Sequence, residues 1–164
     1  AAYLALRAAG AAHGLRMFGA RADESMRMEK GFLHWKADLI TEFDPFETGL
    51  ERFVSLDKGG FVGRDALTAR QAKGPTAKLV PLRVETDRMP AHPGASIMVS
   101  DSVVGTVTSG DWGHRVGINL AYAFIQPAHA ATGTRLEADL LGQRIPVEVI
   151  SPGPYDPGMT LPRS

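Results

Sequence analysis

The stretch Arg27–Leu39, RMEKGFLHWKADL, concentrates the side chains that could do chemistry. Arg27 and Lys30, with Glu29 between them, could hold an anionic substrate, because guanidinium and ammonium groups pair with carboxylates and phosphates. A charge run in a short helix is more often a solvated face, on which side chains three or four positions apart pair with one another. On the residues alone, the solvated face is the favoured interpretation.

His34 and Trp35 lie side by side in the same stretch. The indole offers a large aromatic face on which a planar ligand could stack. The alternation in FLHWKADL is also the pattern of a half-buried strand, with Phe32, His34 and Lys36 facing one way and Trp35 the other. The pattern favours the strand, and with it a structural role for Trp35.

Elsewhere, the motifs that signal metal or cofactor chemistry are absent or incomplete. The five histidines include no pair at metal-ligand spacing and HExxH does not occur, which argues against a histidine metal site. The chain has no cysteine, which excludes disulfides, thiolate metal sites and a cysteine nucleophile. GGFVG at 59–63 lacks the preceding strand and the spacing of a dinucleotide fingerprint, so it predicts a turn before a helix at Arg64.

Charge and hydropathy argue against two classes of partner. Eighteen basic and eighteen acidic residues give a net charge of zero, whereas nucleic acid or an anionic membrane requires a basic excess or patch. No run approaches the roughly 20 apolar residues of a membrane span. The chain opens within a helical pattern, with neither methionine nor a targeting segment. We therefore expect a fragment of a longer, cytoplasmic protein that binds neither nucleic acid nor membrane.

Proline divides the chain into two parts. Of the eleven prolines, only Pro45 precedes Pro75. Gly74-Pro75 follows a helical pattern, which predicts a domain boundary there. Residues 1–74 show mixed α and β patterns: a helix over about 1–13 that ends at Gly14, a helix over about 23–30 with Asp23 as N-cap and Gly31 after its end, a strand near Arg52–Leu56, and a helix over about 64–73.

Residues 75–164 change to a period of two. Six short segments have the composition and alternation of strands, separated by turn residues: KLVPLRVET, SIMVS, VVGTVTS, INLAYAFI, RLEADL and RIPVEVI. Six antiparallel strands without an intervening helix predict a small barrel or sandwich, since closure removes exposed strand edges.

Six blocks of sequence, taken in order, resemble one family. They are similar to the C-terminal region of sarcosine and dimethylglycine dehydrogenases, which are related to the aminomethyltransferase (T-protein) of the glycine cleavage system. RMEKG, the following HW.ADL and the late YDP resemble the dehydrogenase or oxidase branch more than the stand-alone T-protein. The blocks are SMRMEKGFLHWKADL (25–39), DPFETGL (44–50), FVGRDAL (61–67), GTVTSG (105–110), LAYAFI (120–125) and SPGPYDP (151–157).

The resemblance implies an α+β fold and a function. Residues 1–74 would be the end of an α/β folate-binding domain, and residues 75–164 a six-stranded antiparallel β-barrel. The parent protein would transfer one-carbon units to tetrahydrofolate, with FAD confined to an upstream domain. The family's pterin-gripping acid and the aspartate near its reacting amine lie upstream of Ala1, so we expect no catalytic residue in this fragment and no activity from it alone. The alternatives are a stand-alone aminomethyltransferase relative and a non-catalytic docking module of the same fold.

The resemblance also implies residues of a folate site. A folate-contacting arginine of the T-protein falls on Asp23 in an ungapped alignment and on Arg21 if two residues are skipped. We expect Trp35 to shape a cavity wall, so that its replacement by alanine costs stability more than folate affinity. The residues that the resemblance carries to the folate site are Arg21, Arg27, Glu29, Trp35 and Tyr155.

Overall fold

The computed structural model describes residues 1–161. The strands are β1 Lys78–Val84, β2 Ser96–Val99, β3 Ser102–Gly113, β4 Ile118–Ile125, β5 Arg135–Leu140 and β6 Gln143–Val149. The helices are α1 Ala2–Gly10, α2 Ala20–Lys30 and α3 Arg64–Lys73, with short 3-10 turns at Ala11–His13, Glu51–Phe53 and Pro127–His129. No helix in residues 1–161 has the length and apolar character needed to cross a membrane.

The six strands form a closed antiparallel barrel in the order β1-β4-β3-β2-β5-β6. Pairing between β1 and β6 closes it, with Leu82 opposite Val149. Alternate residues point inward and fill the interior with aliphatic side chains, among which Leu82, Ile97 and Leu140 are fully buried. All six strands predicted from the period of two are present, and closure selects the barrel over the sandwich.

A glycine of the GTVTSG block allows the barrel to pack closely. A Cβ atom at Gly110 would lie 2.1 Å from the carbonyl oxygen of Ala91, in the loop that joins β1 to β2. Only a residue without a side chain permits this approach. The Asn119 amide holds the same loop, because its Nδ2 donates to the carbonyl oxygens of Thr86 at 3.0 Å and Met89 at 2.8 Å.

The predicted helix stops agree with the structure. Gly31 follows α2 with φ +75°, and Gly14 follows the turn after α1 with φ +72°, the left-handed conformation that glycine favours at helix ends. The helix predicted over 64–73 is α3 itself. Helix α2 begins at Ala20 with Gly19 as its N-cap, so Asp23 lies inside its first turn and the predicted cap is wrong.

Two predicted strands are absent. Residues 32–39 form no strand: 36–38 make a turn, in which Lys36 takes φ +71° and its N–H donates to the carbonyl oxygen of Leu39 at 3.0 Å. A strand cannot continue through that left-handed residue, so the alternation in FLHWKADL gave a wrong prediction. The second absent strand is the one predicted near Arg52–Leu56, where the chain begins within the 3-10 turn Glu51–Phe53.

Glu47 fastens the loop before this turn to the start of the barrel. Its side chain is 1% exposed and accepts hydrogen bonds from the Thr76 hydroxyl at 2.7 Å and the Thr76 N–H at 3.0 Å. Its main-chain oxygen accepts the N–H of Leu79 in β1 at 2.8 Å. Burial raises the pKa of the Glu47 carboxyl, but the hydrogen bonds from Thr76 and from neighbouring backbone lower it more, so the pKa lies below its ordinary value.

Replacing Glu47 by glutamine should lower the free energy of unfolding by roughly 2 kcal/mol at neutral pH, because buried donors lose a charged acceptor. In the unsubstituted chain, the stabilisation by the Glu47 carboxylate is complete above the ordinary carboxyl pKa of 4.5. It is lost as pH falls through the lowered pKa of Glu47. Urea unfolding at neutral and acidic pH measures both effects. Glu51→Gln, at an exposed neighbour, is the control. Equal stability of the two variants at neutral pH would contradict this role.

Candidate functional site

Helix α2 lies against the end of β3 and divides into two faces. Ser25, Arg27, Met28 and Glu29 are buried against the barrel, and the Ser25 hydroxyl donates to the carbonyl oxygen of Trp112 at 2.6 Å. Met26 is exposed on the other face. The solvated-face interpretation of the charge run is therefore wrong for Arg27 and Glu29.

Arg27 is held by acceptors on three sides. Its Nη1 donates to Asp38 at 2.6 Å and to the carbonyl oxygen of Phe32 at 3.0 Å, and its Nε donates to Glu24 at 3.0 Å. Burial lowers the pKa of the guanidinium, but Glu24 and Asp38 together raise it above its ordinary value. Arg27 is thus a permanently charged structural group whose donors are directed into the protein.

Asp38 joins α2, the following turns and the barrel. Its side chain is 0% exposed. Besides Arg27, it accepts the N–H of His34 at 2.9 Å and the hydroxyls of Thr108 and Ser109 in β3, each at 2.6 Å. A buried carboxylate requires such partners, because desolvation of its charge costs several kcal/mol.

Glu29 fastens the end of α2 to the turn between β3 and β4. Its Oε1 accepts the backbone N–H groups of Arg115 at 2.5 Å and Val116 at 3.1 Å. Its main-chain oxygen accepts the N–H of Tyr155 at 2.9 Å. Glu29 therefore joins α2, the β3–β4 turn and the residues after β6 (150–161), which we call the C-terminal segment.

A cavity of about 210 Å³ opens on the outer side of this junction, lined by Met26, Glu29, Lys30, Arg115 and Tyr155. The Arg115 Nη1 donates to the Tyr155 hydroxyl at 2.5 Å, and its guanidinium carbon lies 4.9 Å from the centre of the Tyr155 ring. The Lys30 ammonium lies 5.9 Å from the same ring centre. We call this the α2 cavity.

Lys30 has a carboxylate partner in the C-terminal segment. Its Nζ donates to Asp156 Oδ2 at 3.0 Å. Hydrogen bonds from Thr160, first, and from Lys30 hold the pKa of Asp156 well below its usual range. The charge of Lys30 is thus compensated within the chain.

Arg21 lies one turn before Ser25 on α2 and is 81% exposed. Its Nη2 lies 3.2 Å from Asp111 Oδ1, and Asp111 also accepts the N–H of Trp112 at 2.8 Å. Asp111 is buried, and among the described residues it engages only Nη2 of Arg21, so the exposed guanidinium keeps donors that can reach a ligand. It does not line the α2 cavity.

Trp35 lies apart from the other expected site residues. It is 64% exposed, and its backbone forms an isolated bridge to Leu39. Among the described residues that line the α2 cavity, Trp35 is absent. The structure therefore brings together Glu29 and Tyr155. Arg27 is buried against Glu24 and Asp38, and Arg21 and Trp35 lie at separate exposed positions.

A second cavity, of about 340 Å³, is lined in part by the segment that follows α2. Leu33, Leu50, Pro81 and Tyr122 are among its lining residues, which are mostly apolar. The Tyr122 hydroxyl is buried and has no hydrogen-bond partner among the described residues. Burial, followed by the nearby charge of Asp38, raises the pKa of Tyr122 to about 12. Tyr122 therefore stays neutral at physiological pH.

Comparison with known proteins gives two family matches. Residues 78–156 match the glycine cleavage T-protein C-terminal barrel domain, and residues 1–58 match the GCVT N-terminal domain. The chain belongs to the glycine cleavage T-protein family. The resemblance proposed from the six blocks is confirmed, as is the predicted α+β fold with a six-stranded barrel.

Individual members of the family are similar along nearly the whole chain. An aminomethyltransferase of Saccharopolyspora erythraea is 38% identical over 92% of this chain and 41% of its own length. Human mitochondrial dimethylglycine dehydrogenase is 35% identical over 92% of this chain and 17% of its own length. The crystal structure of the glycine cleavage system aminomethyltransferase T from Bartonella henselae superposes with a TM-score of 0.78 at 27% identity, covering 82% of this chain and 38% of that one.

This chain matches only part of the length of each relative. The chain spans about two fifths of the aminomethyltransferase and about a sixth of the dehydrogenase. Both kinds of relative are similar to nearly the same extent, so identity alone does not separate the two branches.

Three side chains of this T-protein region were not singled out from the sequence. In the sequence, Asp38 is one residue of the ADL block, Arg115 follows His114 outside any motif, and Tyr122 belongs to a predicted strand. Asp38 and Arg115 act through partners distant in the chain, as the 70 positions between Asp38 and Thr108 illustrate. A local pattern contains no signal for such pairing.

Replacing Asp38 by asparagine should lower the free energy of unfolding by about 3 kcal/mol, since it leaves the buried Arg27 without its carboxylate. Urea unfolding measures the loss. Asp65→Asn on the exposed side of α3 is the matched control and should change stability by less than about 0.5 kcal/mol. A loss for Asp38→Asn no larger than that of the control would contradict its role as the joining residue.

Trp35→Ala should change the free energy of unfolding by no more than about 0.5 kcal/mol, because the exposed indole loses little packing. The expectation that stability falls more than folate affinity rests on Trp35 shaping a cavity wall, and an indole that is 64% exposed does not support a large loss of stability. Leu82→Ala, which empties a fully buried position, should cost about 2–5 kcal/mol in the same urea assay. A Trp35→Ala loss approaching that of Leu82→Ala would restore the structural role.

Proposed function

We propose that this chain forms part of the wall of a tetrahydrofolate site in a folate-dependent one-carbon transfer protein. The observation that carries the proposal is the α2 cavity, where α2, the β3–β4 turn and the C-terminal segment converge on Tyr155. These elements belong to both family matches. Residues of both matched regions therefore line the cavity.

Cavity size supports a partial site. Pockets that enclose a drug-sized ligand measure about 300–1,000 Å³, and the α2 cavity measures about 210 Å³. An aromatic ring and two cations at its edge suit one portion of folate, whose ring system is planar and whose tail is anionic. The rest of the ligand would be held by domains upstream, so we propose that this chain alone is inactive.

The five residues expected at the folate site divide by position. We propose that Tyr155 and Arg21 contact the ligand, the first through its ring and the second through its exposed guanidinium. Arg27 and Glu29 position α2 through their buried hydrogen bonds. Trp35 contributes an exposed ring at the surface that faces a ligand or an upstream domain.

The parent protein is proposed to be a sarcosine or dimethylglycine dehydrogenase or oxidase, as the RMEKG, HW.ADL and YDP blocks favour. When bound, tetrahydrofolate supplies the amine that captures the one-carbon unit released from an N-methyl donor, and FAD would occupy an upstream domain. This chain's residues would orient the folate and exclude water from it. A stand-alone aminomethyltransferase is the alternative within the same chemistry.

Apolar residues before α2 support contact with upstream domains. Helix α1 has no buried residue, and six large side chains of the first eighteen residues are at least half exposed: Tyr3, Leu4, Leu6, Leu15, Met17 and Phe18. Such a contiguous apolar segment is typical of a surface covered by another domain. The same observation favours a second candidate, a docking module without catalysis. We retain the division at Gly74-Pro75 and a cytoplasmic location as parts of the proposal.

Tetrahydrofolate binding separates the folate site from the docking module. We expect tetrahydrofolate to quench the tryptophan fluorescence of the longer protein that contains this chain, and Arg21→Gln to weaken its affinity about tenfold through loss of a charge-assisted contact. Arg135→Gln, at an exposed position of β5, is the control. The isolated chain should show no turnover of a methylamine donor with tetrahydrofolate.

Two results would count against the proposal. Absence of any fluorescence change or protection by tetrahydrofolate at millimolar concentrations, in both the longer protein and the chain, would reject the folate site and favour the docking module. Turnover by the isolated chain would reject its inactivity while leaving the folate site in place.

A further inference from the structure

We infer that Arg115 recognises the anionic tail of the folate ligand and thereby determines preference for ligands that carry a glutamate. This inference rests on the proposed function and extends it to a residue that neither the sequence blocks nor the expected site residues include. The argument depends on how Arg115 is held, how its charge is compensated and what its free donors can bind.

Arg115 is fixed at both ends. Its backbone N–H donates to Glu29 at 2.5 Å. Its Nη1 donates to the Tyr155 hydroxyl at 2.5 Å, with the guanidinium carbon 4.9 Å from the centre of that ring. A stacked and hydrogen-bonded guanidinium loses less conformational entropy on binding an anion than a free side chain does. The side chain is therefore preorganised at the rim of the α2 cavity.

Among residues 1–161, no carboxylate pairs with the Arg115 guanidinium, and Glu29 accepts the backbone N–H of Arg115 instead. Of the other cations on or near α2, Arg21 pairs with Asp111, Arg27 with Asp38 and Lys30 with Asp156. Within residues 1–161, Arg115 makes no ion pair, and its side chain donates to the neutral hydroxyl of Tyr155. Its Nε and Nη2 donors remain available at an exposed position.

Two free donors in a planar fork match a carboxylate. Guanidinium groups bind carboxylates through parallel N–H···O bonds, and this geometry gives specificity as well as affinity. The α2 cavity beside them offers the Met26 side chain and the Tyr155 ring, on which the apolar part of a ligand can pack. The ligand chemistry that fits is therefore a carboxylate next to a hydrophobic or aromatic portion, which in folate is the glutamate tail.

The rival explanation is that Arg115 only secures the C-terminal segment to the β3–β4 turn. A purely structural residue would affect all ligands of the site equally. A residue that binds the glutamate tail would change the affinity only of ligands that carry this tail. Comparison of tetrahydrofolate with 6-methyltetrahydropterin, which keeps the reduced pterin ring but carries no carboxylate, separates the two roles.

The experiment measures dissociation constants of both ligands for the longer protein that contains this chain, by calorimetry or fluorescence. Arg115→Gln should weaken tetrahydrofolate binding about tenfold, as expected for loss of a charge-assisted hydrogen bond, and leave 6-methyltetrahydropterin binding unchanged. Tyr155→Phe, which removes the hydroxyl and keeps the ring, should lower the same preference by about threefold, because Arg115 loses its anchor. Arg135→Gln, at an exposed position of β5, should change neither constant.

The outcomes are distinguishable. Equal weakening of both ligands by Arg115→Gln, or no weakening of tetrahydrofolate, overturns the inference while leaving the folate site intact. Failure of the unsubstituted protein to bind either ligand overturns the proposed function and the inference with it. Thermal melting of each variant shows whether it is folded. Arg115→Lys, which keeps the positive charge but not the planar guanidinium, should retain part of the preference for tetrahydrofolate.

Discussion

The buried carboxylate of Asp38 is the interaction on which the arrangement of this chain depends. Four donors from three segments converge on its two oxygens: Arg27 from α2, the His34 N–H from the turns, and Thr108 and Ser109 from β3. Such a charge is tolerated in the interior only when its hydrogen bonds are complete. The requirement works in both directions, because the carboxylate fixes the relative positions of the three segments that satisfy it.

The position of α2 then determines the candidate site. Once Asp38 holds Arg27, Glu29 lies two residues further along the same helix and reaches the β3–β4 turn. That contact places Arg115 beside the C-terminal segment. The site is thus assembled from backbone N–H groups and buried carboxylates, with the chemistry-bearing side chains at its rim.

The parts of the fold that depend on local pattern could be predicted from the sequence. The period of two identified all six strands, and the glycines at 14 and 31 identified helix ends, because both signals arise from neighbouring residues. The prediction failed at 32–39, where Lys36 adopts a left-handed conformation and Asp38 is drawn into the barrel. The burial of Glu29 could not be predicted either, since its partner Arg115 lies 86 positions away. The family resemblance identified the region of the candidate site. The hydrogen bonds that build the site join residues distant in the chain, so they could be found only from the tertiary structure.

The contact between α2 and the C-terminal segment indicates that the α2 cavity is formed in advance of any ligand. A Cβ atom at Gly31 would lie 2.8 Å from the Gly153 nitrogen, and one at Gly153 would lie 2.9 Å from the Lys30 carbonyl oxygen. Both glycines also have positive φ, +75° and +64°, so a side chain at either position would be strained as well as crowded. Backbone packs directly on backbone here, and it directs the next residues toward Tyr155. Because this contact requires no ligand, the ring of Tyr155 is already at the cavity, and binding need not pay the entropy of ordering the segment.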